Sequence, residues 1–398
     1  MTALYLNKKD CCGCFACGSI CSQSAISMRP DKEGFLYPEV DKNKCKECGY
    51  CKKVCVFQKK YTLRVNKNIQ VYAVKHVSSK VRNRSSSGGI FTAISDEILF
   101  HKGTVYGVGY DEKMVACHQR ATDKNARDNF RGSKYVQSEI RQTLKHVQDD
   151  LENGLSVLFT GTPCQIAAVK EYIKRKHVNA KQLILCDVVC HGTPSPKIFS
   201  EYLKYAEILK GKKLVNHVCR SKNLGWHRHT EMNIFEDGEE DFKSQYSQVY
   251  KALFYGSIIL RPCCHNCKYT NLSRQSDLTM ADYWGIEKCF PGFDDNKGVS
   301  LLLVNTVKGQ KMFENVCSNI VYLKSNIKDC LQPQLQFPAK ASPIRGSFWM
   351  DYYNRGFIYV IGKYAGYSIS NRIIKGLKST FKKIGIIGFI KKIRNLCC

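Results

Sequence analysis

The chain has 398 residues, 62 Lys and Arg against 34 Asp and Glu, and a formal net charge of +28. At 43% apolar and 24% charged it reads as a globular protein with room for two or three domains, and no apolar run reaches the ~18 residues that a membrane-spanning helix needs. Its N-terminus carries Asn7, Lys8, Lys9 and Asp10 where a secretory signal would be apolar, so a cytoplasmic protein is expected, and its 22 cysteines then point to metal rather than to disulfides.

Residues 1–60 form a cysteine-rich block. Cys11, Cys14, Cys17 and Cys21 have the spacing C-x2-C-x2-C-x3-C, and Cys45, Cys48, Cys51 and Cys55 repeat it 34 residues later. This is the run of bacterial ferredoxins that holds two [4Fe–4S] clusters, with the fourth cysteine of each run ligating the other cluster. Cys11, Cys14, Cys17 and Cys55 are therefore assigned to one cluster, and Cys45, Cys48, Cys51 and Cys21 to the second. Cys12 is surplus. Zinc is the alternative for eight thiolates, but zinc modules use paired knuckles on longer loops, often with His. Ser22 and Val56 stand where ferredoxins usually have proline after the fourth cysteine.

After a short linker (61–72), "VYAVKHV" reads as a strand. "SSSGGIFTAISDEILF" (85–100) reads as a helix, with Ile90, Phe91, Ile94, Ile98 and Leu99 at helical spacing behind a serine and glycine start. The N–H end of such a helix suits an anion, although an ordinary cap explains the same residues. "GTVYGVGYD" is the next strand. From 154 the pattern is strand, turn, helix, twice: "LSVLFT" into "GTPCQ" and "IAAVKEYIKR", then "QLILCDVVC" into "HGTPSP" and "KIFSEYLKYAEIL". This predicts parallel strands with helical crossovers. Cys164 and Cys190 fall at strand carboxyl ends, the edge where α/β sheets place ligands; as small buried residues they would need no ligand.

Residues 213–260 read as strands or mixed structure without a clear pattern. "CCHNC" (263–267) supplies a third cysteine group with a C-x2-C pair, Cys264 and Cys267. "VSLLLVNT" (299–306) reads as a buried strand followed by a helix, and 331–370 as an aromatic loop. Residues 371–398 contain eight Lys or Arg and no acid. They form a basic amphipathic tail, which fits peripheral contact with an anionic membrane surface and equally a helix packed on the domain with a solvated basic face.

"SSSGG", "GTPCQ", "CHGTPSP", "KNLGW", "RPCCHNC" and "SDLTMADYWG" occur in the order in which the coenzyme F420 hydrogenase/dehydrogenase beta-subunit family carries such motifs. Over residues 70–310 the chain resembles that family. With the ferredoxin block in front, it is most similar to members associated with polysaccharide biosynthesis loci. The resemblance implies an α+β ferredoxin-like dicluster domain (1–60) followed by an α/β flavin-binding catalytic region, made of the family's N-terminal (70–150) and C-terminal (151–325) domains, and then the tail. It implies a third [4Fe–4S] cluster on Cys164, Cys190, Cys264 and Cys267, with the adjacent Cys263 leaving the register of the pair open. It also implies FAD near Ser86, Ser87, Gly88, Gly89 and Thr162, and Lys222, Trp226 and Asp282 as catalytic candidates near the pocket.

The function expected is an oxidoreductase that passes electrons between a ferredoxin or another redox protein, its clusters, FAD, and a small-molecule substrate or coenzyme F420. The other reading is an electron-transfer subunit with no substrate of its own. Anionic cofactors offset part of the basic charge, since a [4Fe–4S] cluster with its thiolates carries roughly −2, and no nucleic-acid partner is expected.

Overall fold

The computed structural model describes residues 4–59 and 68–367; the basic segment 371–398, with the membrane contact expected of it, lies outside the described residues. The strands in chain order are β1 (Ile26–Pro30), β2 (Leu36–Val40), β3 (Gln70–His76), β4 (Thr104–Tyr110), β5 (Ala116–Ala121), β6 (Val157–Gly161), β7 (Leu183–Val188), β8 (Leu214–Ser221), β9 (Thr230–Phe235), β10 (Glu240–Asp241), β11 (Leu278–Asp282), β12 (Ser300–Val304) and β13 (Ile320–Ser325). Eight of them form one mixed sheet in the order β13–β3–β12–β11–β7–β6–β4–β5.

β4, β6, β7 and β11 are parallel neighbours. β12 is antiparallel to both β11 and β3, so β3 runs with the other four. Five strands thus end on one edge, and the loops after them meet there. The fully buried "SLLLV" of β12 is explained by its central place, with a strand on either side and cover on both faces. Strands from both the 70–150 and 151–325 segments alternate across this single sheet.

The crossovers are well specified locally. Thr162 and Gln165 form a capping box at the head of the helix Pro163–Arg175, with proline at its first turn. Ser195 Oγ accepts from the Ile198 amide at 3.2 Å to open the helix Pro196–Lys210, and Gly211, at φ 64°, closes it.

Residues 214–241 form a second, antiparallel sheet in the order β10–β9–β8. It lies against an aromatic layer that includes Phe199, Tyr202, Tyr246, Tyr250 and Phe348. The expectation of a loop over 331–370 is corrected here: Arg345–Tyr364 is helical, and Phe348, Trp349, Tyr352, Phe357, Val360 and Ile361 are its buried side. Gly356, at φ 78°, kinks it midway, which breaks the periodicity that would otherwise mark a helix.

The N-terminal block holds a hairpin, β1–β2, between two one-turn helices, Ala16–Ser19 and Tyr50–Lys53. Its duplication extends to backbone conformation. Gly13 and Phe15 have φ of 72° and 57°, and their counterparts 34 residues on, Glu47 and Gly49, have 52° and 74°. Left-handed residues at these points turn successive N–H groups toward the inside of each loop, which suits anionic sulfur. Among the described residues no helix is long and apolar enough to cross a membrane.

Candidate functional site

The cysteines of the described chain are free thiols and fall into three groups. Cys17 is pushed far above its ordinary range by burial and then by Cys14, Cys11 and Cys55 beside it. Burial likewise raises Cys11 to about 11, with Cys14 and Cys55 adding to it. Three thiols of the first run and the last of the second therefore face one another. Backbone amides point at their sulfurs: Gly13 N–H donates to Cys11 Sγ at 3.4 Å, and the Ala16 and Gly18 amides donate to Cys14 and Cys17. In the second group Cys51 is raised by burial, with Cys48 and Cys21 close by. Cys48 is exposed, and the Cys45 amide donates to the Asp41 carbonyl at 3.1 Å in the turn before it.

The third group sits at the carboxyl edge of the large sheet. Cys164 lies in the first turn of the helix after β6, and Cys190 lies two residues beyond β7. Cys190 is raised well above its ordinary value by burial, then by Cys264, Cys164 and Cys267. The Thr193 amide donates to Cys264 Sγ at 3.3 Å and the Tyr269 amide to Cys267 Sγ at 3.4 Å. The loop carrying Cys264 and Cys267 is fixed by Arg274. Its guanidinium pairs with Asp187 of β7 at 2.7 Å and donates to the Val188 and Tyr269 carbonyls, all in the interior. Of the adjacent pair, Cys264 faces the other thiols. Cys263 is 3% exposed, packs with Val56, Phe57 and Tyr269, and donates to Cys264, which lowers Cys264 to about 6.

Cys12, surplus in the spacing, lies between the first and third groups. Its thiol is hydrogen-bonded to Cys14 and to Cys164. It lines the cavity walled by Cys11, Cys14, Cys17 and Cys55 and also the one walled by Cys164, Cys190, Cys264 and Cys267.

The serine and glycine loop opens the helix Ile90–Phe100 beyond β3, on the same sheet edge. Ser86 Oγ accepts from the Ser133 amide at 3.0 Å, and Ser87 Oγ donates to the Val299 carbonyl at 2.8 Å. A Cβ on Gly88 would come within 2.2 Å of the Val74 carbonyl, so only glycine fits. Gly89, at φ 93°, caps the helix. The two hydroxyls hold the loop in place, and the free N–H end of the helix is what remains for an anion. Thr162 stands apart from this loop: its hydroxyl is 3.2 Å from Cys164 Sγ, in the third thiol group.

Lys222 ties three loops together, donating to the Arg82, Ser87 and Lys297 carbonyls at 2.6–2.7 Å. Burial pushes its ammonium down to about 7. Trp226 Nε1 donates to Asp282 Oδ1 at 2.8 Å, and Asp282 Oδ2 pairs with Arg220 at 3.2 Å. Trp226 stacks on Trp284 at 4.7 Å, and Arg220 lies over the Trp284 ring at 5.0 Å. Arg220 and Trp284 are members of this constellation that sequence reasoning missed. Each sits two residues from a residue it did single out, Lys222 and Asp282. Arg220 Nη2 is buried with no partner.

The donor sets fit the groups they were read for. Gathered, amide-solvated thiols suit iron–sulfur clusters, and an orphaned guanidinium N–H beside stacked indoles suits an anionic, aromatic ligand. The class defined is a mixed α/β protein with thiol groups at the carboxyl edge of its main sheet. Residues 154–329 match the family that comprises the C terminus of the coenzyme F420 hydrogenase/dehydrogenase beta subunit, and over that region the chain belongs to this family of redox-enzyme subunits. Among solved structures it is similar to a chain of the F420-reducing [NiFe] hydrogenase complex from Methanosarcina barkeri, at 18% identity and a TM-score of 0.45, covering 66% of this chain and 84% of that one. No curated protein matches it.

Proposed function

We propose that the protein is an iron–sulfur flavoprotein oxidoreductase. Cys11, Cys14, Cys17 and Cys55 hold one [4Fe–4S] cluster, Cys45, Cys48, Cys51 and Cys21 a second, and Cys164, Cys190, Cys264 and Cys267 a third. FAD lies along the sheet edge, its phosphates toward the N–H end of the helix behind Ser86, Ser87, Gly88 and Gly89. When bound, clusters pass single electrons and the flavin collects them into the pairs that organic chemistry uses. The chain's own residues do the rest. Arg220, held by Asp282, offers Nη2 to an anionic group; Trp226 and Trp284 form a flat wall; Lys222 keeps the loops around the crevice closed. Exposed Cys48 marks the side where a ferredoxin-type partner exchanges electrons, and the substrate is a small organic molecule or coenzyme F420.

The observation that carries this reading is Cys12, in contact with a thiol of the N-terminal block and a thiol of the sheet edge, so that the two groups form one continuous route. Anaerobic purification followed by iron, sulfide and flavin analysis tests it: about twelve iron and one FAD per chain are expected, and zinc with no flavin overturns it. Re-oxidation of the reduced protein by a small molecule supports a substrate of its own. Re-oxidation by a partner protein alone makes it a delivery subunit.

A further inference from the structure

A second set of metal-ligating side chains lies in the small sheet, and none of the twelve cysteines above belongs to it. On β8, His217 and Cys219 are two residues apart and share a face. On β9, Asn233 pairs with His217, and Glu231 lies two residues before it on the same face. The histidine nitrogen, the cysteine sulfur and a carboxylate oxygen lie within 4.8 Å of one another. All three residues are buried, Glu231 completely.

Each ligand is oriented from behind. His217 Nδ1 is 2.8 Å from Asn233 Oδ1, which makes it the protonated nitrogen and leaves the lone pair on Nε2. The Lys251 amide donates to Glu231 Oε2 at 3.0 Å, leaving Oε1 free, and the Tyr135 amide donates to Cys219 Sγ at 3.3 Å. His217 Nε2 and Glu231 Oε1 are buried with no hydrogen-bond partner, and the Tyr110 hydroxyl stands beside Cys219. Such orphaned groups are rare in a folded interior without something between them. The nearest ammonium groups are turned away to carbonyls, Lys134 to those of Asn129, Arg131 and Gly132, and Lys251 to that of His229.

We infer that His217, Cys219 and Glu231 bind a structural zinc-type divalent cation, with the Tyr110 hydroxyl or a water in the fourth position. One imidazole, one thiolate and one carboxylate are the donor types zinc accepts, and the Asn233 contact behind His217 is the kind that metal-bound histidine uses. A divalent cation with one thiolate and one carboxylate is electroneutral, the condition a buried charge must meet. The site ties β8 to β9 beneath the aromatic layer.

The test uses the full-length protein, anaerobically purified with its iron reconstituted and then exposed to zinc(II). One zinc per chain is expected to survive gel filtration, in addition to the iron. Cys219→Ser and His217→Ala should lose that zinc and keep all their iron. Cobalt(II) in place of zinc should give a thiolate-to-cobalt absorption band that Cys219→Ser abolishes. Wild-type protein that is folded, iron-replete and free of zinc overturns the site, as does zinc that leaves with Cys264→Ser and not with Cys219→Ser. If the variants do not fold, the cobalt band of the wild type decides: its presence in iron-replete protein supports the site and its absence refutes it.

Discussion

Arg261 holds Cys11 across 250 positions of sequence: its Nε donates to the Cys11 carbonyl at 2.8 Å. The same guanidinium donates to the Leu36 carbonyl at 3.0 Å and to Gln137 Oε1 at 2.9 Å, and it lies over the Tyr37 ring at 4.1 Å. Arg261 is fully buried, so this one side chain clamps the N-terminal block onto the α/β region. Arg261→Ala leaves buried acceptors alone, at about 1–3 kcal/mol each. Hydrogen exchange in residues 11–37 should rise while β6 and β7 stay protected. Unchanged exchange in 11–37 refutes the clamp.

Cys12 is a contact residue and not a ligand in this scheme. Cys12→Ala should therefore keep the full iron content while slowing electron arrival at the sheet-edge group, because it opens a gap between Cys14 and Cys164. Cys14→Ala, by contrast, should lose roughly four iron. Stopped-flow reduction from the N-terminal side, read against iron content, separates the two. A Cys12 variant that loses iron would make it a ligand instead.

The adjacent cysteines 263 and 264 differ in what they face. Cys264→Ser should cost about four iron and leave the N-terminal groups loaded. Cys263→Ala removes a buried donor and a small apolar side chain, which should lower the melting temperature by the equivalent of ~1–2 kcal/mol with iron intact. If the iron loss follows Cys263, the register of the pair is the reverse of the one described.

Asp282 holds both Trp226 and Arg220. Asp282→Asn keeps an acceptor for the indole and removes the charge that faces Arg220. Breaking a buried pair from one side costs about 3–5 kcal/mol when the remaining charge stays buried. Flavin retention and the flavin circular dichroism spectrum should change, with iron unchanged. A variant whose flavin affinity and spectrum match the wild type places FAD elsewhere.

Much of this was written in the sequence, for physical reasons that can be named. Cysteine spacing is set by cluster geometry, so the two runs are legible without a fold. β6 and β7 carry strong strand, cap and helix signals, which is why Cys164 and Cys190 could be placed on one edge. The helix Arg345–Tyr364 was missed because Gly356 interrupts its period and its aromatics look like a loop cluster. His217, Cys219 and Glu231 were missed because β8 pairs with β9 through register irregularities between Leu214 and Asn216 and between Val218 and Ser221. No local spacing announces a site split over two irregular strands. Arg220 and Arg261 act through partners distant in sequence, and only the fold brings those partners to them.

Lys222 gives the protein a pH signature. Its ordinary value is 10.5, and burial brings it to about 7 in the folded chain. Below about 7 both states carry the ammonium, and the folded state bears the full cost of burying it. Between about 7 and 10.5 the unfolded chain keeps the proton that the folded chain has lost, so stability rises with pH across that window and levels off above it. Lys222→Met has no proton to lose and should flatten the rise, while also releasing the Arg82, Ser87 and Lys297 carbonyls it holds. Anaerobic melting curves over the window, wild type against Lys222→Met, measure this directly. Parallel pH profiles for the two proteins would mean that the three carbonyls keep the ammonium charged throughout, and the loops around the crevice are then held by a permanent cation.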